Sequence, residues 1–169
     1  PERTAMRLAF FGSPEFALPS LEALLAAGHE VALVVSQPAK PVGRSAEPLD
    51  PPVARRAKEL SLAVFQPPTL KDDAAFARLA GVRADLFVVV AYGKILAQRV
   101  LDLPRLGCVN VHGSVLPRWR GASPVQAALL AGDEESGVSI MRMEAGMDTG
   151  PVHAVSRGPI GAREDAGSH

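Results

Sequence analysis

The 169 residues, 47% of them hydrophobic, suffice for one core-bearing domain of ordinary size and not comfortably for two. Eighteen basic and eighteen acidic side chains cancel, so the overall charge points to no nucleic-acid or membrane partner and leaves room only for a local basic patch. The single Cys108 excludes an internal disulfide and a multi-cysteine metal site and fits a reducing cytoplasm, while the longest apolar run, Leu86 to Tyr92, falls far short of the roughly 20 residues that span a bilayer.

The polar start Pro1-Glu2-Arg3-Thr4 carries no secretion signal, and residues 1–5 read as an extension ahead of a domain over 6–169. Arg7 to Phe11 is a short apolar run ended by Gly12-Ser13-Pro14, after which Leu18, Leu21 and Leu25 recur at helical spacing. Gly28 closes that helix and Val31 to Val35 has strand character, which completes a βαβ unit and implies parallel strands. The proline-rich stretch Gln37 to Pro52 is a long loop for a compact domain and a candidate functional insertion. Asp50 is expected to cap a helix with Pro51 in its first turn and Val53, Ala57 and Leu60 on one face; Ala63 to Phe65 follows as a brief strand.

Asp72 to Ala80 reads as helix, Leu86 to Val90 as a strand buried on both faces, and Val109 to His112 as a further strand. Pro124 to Leu130 is a helix stopped by Gly132, and Val138 to Met143 and Val152 to Val155 are strands joined across Glu144 to Gly150, hence antiparallel. The expected fold is α/β, a Rossmann-like doubly wound and mostly parallel sheet with an antiparallel edge. From Gly158 to His169 the apolar periodicity is lost, and the domain is expected to be truncated there.

In Cys108 to Ser114 the period of two places Asn110 and His112 on one side of a strand, with Val109 and Val111 toward the core. Both polar residues lie at the C-terminal end of a predicted parallel strand, where open α/β sheets place ligand crevices. Asn110 can donate two hydrogen bonds to a developing oxyanion and His112 can move a proton near neutral pH, the two needs of acyl-type transfer. Asp148, set in the glycine-bearing turn Glu144 to Gly150, can reach into the same crevice. Ser114 to Gly121 adds the chain's one tryptophan and two arginines in the loop directly after the polar pair, suited to a pocket rim. His29, His112, His153 and His169 show no paired ligand spacing, so no metal is expected, and Gly12-Ser13-Pro14 is neither a dinucleotide fingerprint nor a P-loop.

Several blocks together resemble the methionyl-tRNA formyltransferase family: Phe11 to Ala17 its opening turn, Val90 to Leu96 its folate-pocket strand and loop, Asn110 to Gly121 its signature, and Asp148-Thr149-Gly150 the closing piece. The resemblance implies formyl transfer from 10-formyltetrahydrofolate to the α-amino group of initiator methionyl-tRNA in translation initiation; the protein is expected to be a cytoplasmic monomer. Asn110 would steady the formyl oxygen, His112 assist proton movement and Asp148 support it through water. The implied folate residues are Val90, Ala91, Tyr92, Gly93, Ile95, Leu96, Ser114, Val115, Leu116 and Pro117; the implied tRNA contacts are Lys40, Arg44, Arg118 and Arg120.

Two departures bear on the acceptor. The loop that is basic in the family keeps Gly43-Arg44 but continues Ser45-Ala46-Glu47-Pro48-Leu49-Asp50, which weakens phosphate attraction. The family's C-terminal β-barrel, which also grips tRNA, is expected to be absent. Because Asn, His and Asp are common to folate-dependent formyltransferases, a small amine of the ribonucleotide or sugar-nucleotide type stands as an alternative acceptor, as does a folate-binding piece without turnover.

Overall fold

A computed structural model describes residues 4–44, 47–162 and 164–167. The leading residues 1–3, Ser45 and Ala46 of the loop, and the end at His169 lie outside the described residues. Two compact units divide the chain, Pro1–Cys108 and Val109–His169.

The first unit begins with β1 (Arg7–Gly12), a 3-10 turn (Glu15–Ala17), α1 (Leu18–Ala26) and β2 (Glu30–Val35). A two-residue ladder, β3 (Lys40–Pro41) with β4 (Pro48–Leu49), then precedes α2 (Pro52–Glu59) and β5 (Val64–Phe65). The unit continues with α3 (Asp73–Gly81), β6 (Leu86–Val90) and the short α4 (Gln98–Leu101). Its strands pair in the order β5-β2-β1-β6, all parallel. The chain moves outward from β1 through β2 to β5 and then returns to the other side of β1. The order therefore reverses between β1 and β6, the switch point at which open α/β sheets leave a crevice beyond the strands' C-terminal ends.

Apolar runs within the strands explain that arrangement, because β-branched and aromatic runs bury both faces only when helices or loops cover them. Leu8, Phe10 and Phe11 of β1 and Leu33, Val34 and Val35 of β2 are wholly inaccessible, and Phe87 to Val90 of β6 nearly so. Each such side chain contributes roughly 1.5–3 kcal/mol of burial. Phe11 packs at 5.0 Å from Phe87 and edge-on at 5.5 Å from Tyr92, tying β1 to β6 and to the loop beyond it. A β-carbon at Gly12 would stand 2.9 Å from the Val90 carbonyl oxygen and 3.0 Å from Ala17 Cβ, so only glycine lets β1 close against both.

One helix starts otherwise than the sequence suggests. Asp50 does not cap α2: Pro51 stands at the cap and Pro52 opens the helix, while the Asp50 carboxylate accepts from Lys58 Nζ at 2.5 Å and Gln66 Nε2 at 2.8 Å. Two side-chain cations or amides outbid one backbone N–H for the carboxylate. Asp72 does cap α3, accepting from the Ala75 N–H at 2.7 Å.

The second unit holds β7 (Cys108–His112) from Val109 onward, α5 (Pro124–Ala131), β8 (Glu135–Arg142) and β9 (Val152–Pro159). β8 pairs antiparallel with β7 and with β9, as the short connection requires. β8 starts three residues ahead of Val138 and β9 runs past Val155, because Ser136 and Gly137 pair with Gly158 and Arg157. No helix among the described residues is long and apolar enough to cross a membrane.

Candidate active site

In the second unit, β7 and β8 bring the polar residues together. The ladder sets Asn110 opposite Met141 and His112 opposite Ser139, so all four share one face. That face is the more buried one: His112 is 6% exposed, Ser139 0% and Met141 1%. Val109 and Val111, expected to be the core side, are only half-buried, and their partners Arg142 and Ile140 are exposed. The reason lies in the following loop, which folds back so that the Trp119 carbonyl accepts from His112 Nε2 at 2.8 Å.

That hydrogen bond fixes the histidine's chemistry. A carbonyl oxygen only accepts, so Nε2 carries the hydrogen and a neutral ring keeps its lone pair on Nδ1. Nδ1 faces the Asp148 carboxylate, with Oδ2 3.8 Å away. The same Oδ2 accepts from the Gly121 N–H at 2.8 Å, and the Asp148 side chain is 12% exposed. Asp148 is left-handed at φ +50°, and a β-carbon at neighbouring Gly150 would overlap the Arg142 carbonyl oxygen. The turn therefore lies tight on β8, which delivers the carboxylate to His112. Among the described residues the Asn110 amide has no hydrogen-bond partner, which leaves both N–H groups for an incoming oxygen.

Two residues not singled out from the sequence organise the loop. Ser139 accepts from the Leu116 N–H at 3.0 Å and donates to the Ser114 carbonyl at 2.7 Å. Asp133 accepts from Trp119 Nε1 at 2.6 Å, from Arg118 Nη2 at 2.6 Å and from Arg118 Nε at 3.1 Å. The Arg118 guanidinium foremost, and then the indole N–H, hold the Asp133 carboxyl below its ordinary value. Ser114 is buried and donates to the Arg118 carbonyl at 2.7 Å; Val115 and Leu116 are half-buried and Pro117 exposed. Arg118 also lies 4.6 Å over the Trp119 ring. Of the four expected tRNA contacts, Lys40, Arg44 and Arg120 are exposed, whereas Arg118 is engaged by Asp133.

In the first unit the loop after β6 sits at the switch point. Val90, Tyr92 and Leu96 are buried, while Ala91, Gly93 and Ile95 are exposed, with Ala91 at φ +49° and Gly93 at φ +83°. Gln37 Nε2 donates to the Tyr92 carbonyl at 2.9 Å and the Gln37 N–H donates to Ser13 Oγ at 3.1 Å, joining the ends of β1, β2 and β6. Lys94 Nζ donates to the carbonyls of Pro67 and Pro68 at 3.0 and 2.6 Å; burial, and then nearby Lys40, lower its pKa. The Tyr92 hydroxyl is buried without a partner among the described residues, and burial pushes its pKa up to about 12. Ser13 falls inside the opening-turn block Phe11 to Ala17, where the sequence assigned it no role of its own, and Gln37 belongs to none of the motifs.

Residues 6–169 match the formyl transferase family. The methionyl-tRNA formyltransferase of Rhizorhabdus wittichii is 56% identical over 155 residues, 92% of this chain and 50% of that protein. That of Ruegeria pomeroyi is 55% identical over 163 residues, 96% of this chain and 54% of that protein. The chain spans about half the length of these curated relatives. Among solved structures, phosphoribosylglycinamide formyltransferase from Streptococcus pneumoniae superposes with a TM-score of 0.75 at 26% identity, over 95% of this chain and 86% of that one.

Proposed function

We propose that this chain, which belongs to the formyl transferase family, carries the chemistry that moves a formyl group from 10-formyltetrahydrofolate to the α-amine of initiator methionyl-tRNA. The observation that carries the reading is the buried His112, its Nε2 occupied by the Trp119 carbonyl and its Nδ1 turned to Asp148, on the same strand face as the Asn110 amide, which has no hydrogen-bond partner among the described residues. That set offers a proton acceptor and an oxyanion donor beside each other, and asks for no nucleophilic side chain.

The neutral acceptor amine attacks the formyl carbon, and the carbonyl electrons move onto oxygen, where the Asn110 amide stabilises them. The proton shed by the amine passes to His112 Nδ1, directly or through a water held by Asp148. As the bond from carbon to the folate nitrogen breaks, that nitrogen takes a proton. Tetrahydrofolate and a formamide result, with no proton gained or lost overall.

The loop over Val90–Leu96 suits the folate, because it lies at the switch point with Ala91, Gly93 and Ile95 exposed and with left-handed backbone at Ala91 and Gly93. Within the second unit, Ser114, Val115, Leu116 and Pro117 are also proposed as folate contacts; Lys40, Arg44, Arg118 and Arg120 are proposed as tRNA contacts. The curated relatives' names favour tRNA as acceptor over a small amine. Offering the protein charged initiator tRNA beside glycinamide ribonucleotide and an amino sugar nucleotide tests this: tRNA should be formylated, and formylation of a small amine alone would overturn the acceptor assignment.

A further inference from the structure

We infer that Asp133 is a positioning residue for His112, acting through the Trp119 residue that lies between them. The inference rests on the reading of His112 as the proton-transfer group.

Trp119 is held at both ends. Its indole N–H donates to Asp133 Oδ2 at 2.6 Å, and its backbone carbonyl accepts from His112 Nε2 at 2.8 Å. Between these ends Trp119 has φ +57°, a left-handed backbone that a bulky residue adopts only where its surroundings enforce it. The buried Ser114 hydroxyl holds the backbone side of the turn, 2.7 Å from the Arg118 carbonyl and 3.4 Å from the Trp119 carbonyl, and Asp133 holds its side-chain end. Its two oxygens take the indole and both Arg118 donors, so consecutive residues of the loop close on one carboxylate.

Asp133 is itself rigidly placed. It follows the left-handed Gly132 that ends α5, and its N–H donates to the Ala128 carbonyl at 3.1 Å. Its side chain is 16% exposed although Arg118 is 60% exposed, so the anchor is the sheltered partner and the arginine its outer cover. The path from α5 to the imidazole thus contains one carboxylate, one indole and one peptide carbonyl.

The carbonyl decides which ring nitrogen bears the hydrogen. While Trp119 O accepts from Nε2, Nδ1 is the free acceptor beside Asp148. Release of the indole frees the left-handed peptide to relax and withdraws that carbonyl. The ring then samples the Nδ1–H tautomer, which offers no lone pair at the position facing Asp148.

Long-range 1H–15N spectra of the protein with labelled histidine, read beside the steady-state kinetics of formyl transfer, test this. In the wild type, His112 should show the Nε2–H tautomer. Asp133→Ala and Trp119→Phe should each add the Nδ1–H form and lower kcat, by up to about 10²-fold for a displacement near 1 Å, with little change in KM. Asp133→Asn, whose carbonyl still accepts from the indole, should recover most of the rate, and the Asp133→Ala, Trp119→Phe pair should be no worse than Asp133→Ala alone. Wild-type tautomer and kcat in Trp119→Phe, or additive losses in the pair, would overturn the inference. Trp119→Phe and Asp133→Asn decide it even where Asp133→Ala does not fold. A wild-type protein that transfers no formyl group would instead defeat the proposed function, while the spectra still report on the coupling.

Discussion

Ser139 stands directly across from His112 in the β7–β8 ladder, and its wholly buried hydroxyl is spent on the loop that follows His112, accepting from the Leu116 N–H and donating to the Ser114 carbonyl. One side chain therefore ties the strand that presents the imidazole to the loop that holds it.

Ser139→Ala removes both bonds and leaves a half-buried N–H and a buried carbonyl without them. It should lower stability by roughly 1–3 kcal/mol. Urea unfolding, with the slope unchanged, is the measurement; a loss below about 0.5 kcal/mol would mean that water replaces the hydroxyl.

Gly150→Ala should reduce formyl transfer more than it reduces stability. The added carbon would meet the Arg142 carbonyl, a backbone atom that has no rotamer to yield, so the turn must lift and carry Asp148 from His112. A fall of about tenfold or more in kcat is expected from such misplacement. An unchanged kcat would show that Asp148 tolerates displacement.

Three carboxylates should contribute to the acid sensitivity of the fold. Asp85 is held below the ordinary 3.8 by the Arg7 backbone N–H and then Arg105, Asp50 by Lys58 and Gln66, and Asp133 by Arg118 and Trp119. Each is depressed in the folded chain, so the unfolded chain takes up protons first as pH falls. Their contribution is complete above the unfolded value and is lost as pH drops below it through each folded value. Thermal scans should show Tm falling below about pH 4, and Asp85→Asn should flatten that fall; an unaltered acid slope would remove Asp85 from the account.

Salt dependence should separate the arginines. Arg44 is exposed, and Arg44→Ala should lower the magnitude of the log K against log salt slope for tRNA by about 1. Arg118 is already engaged by Asp133, so Arg118→Ala should change the slope less. Equal changes would mean that Arg118 leaves Asp133 when tRNA binds.

Legibility in the sequence follows from how local each signal is. The run Leu86 to Val90 announces a strand buried on both faces because its reason is wholly in its own side chains. Asn110 and His112 are equally legible, since a period of two puts them on one face, and so is Asp148 through its glycine-bearing turn. The burial of that face is not legible, because it depends on the Trp119 loop folding back. α4 offers too few residues for a helical period, and polar Ser136 and Gly137 conceal the start of β8. Asp133, in the polar run after Gly132, reads as a helix-end residue; only the tertiary hydrogen bonds to Arg118 and Trp119 distinguish it. Asp50 misleads for a related reason, as the partners that draw it from the helix start lie 8 and 16 residues away in sequence.

The central claim is that Asn110, His112 and Asp148 carry out formyl transfer. Its most direct test is the single-turnover rate of labelled formyl transfer from 10-formyltetrahydrofolate to charged initiator tRNA, for the wild type and for His112→Ala with its fold verified by circular dichroism. The account predicts formylated tRNA and tetrahydrofolate in equal amounts from the wild type and a rate about 10²–10⁴-fold lower in the variant, with folate binding retained. A folded His112→Ala protein that transfers formyl at the wild-type rate would contradict it.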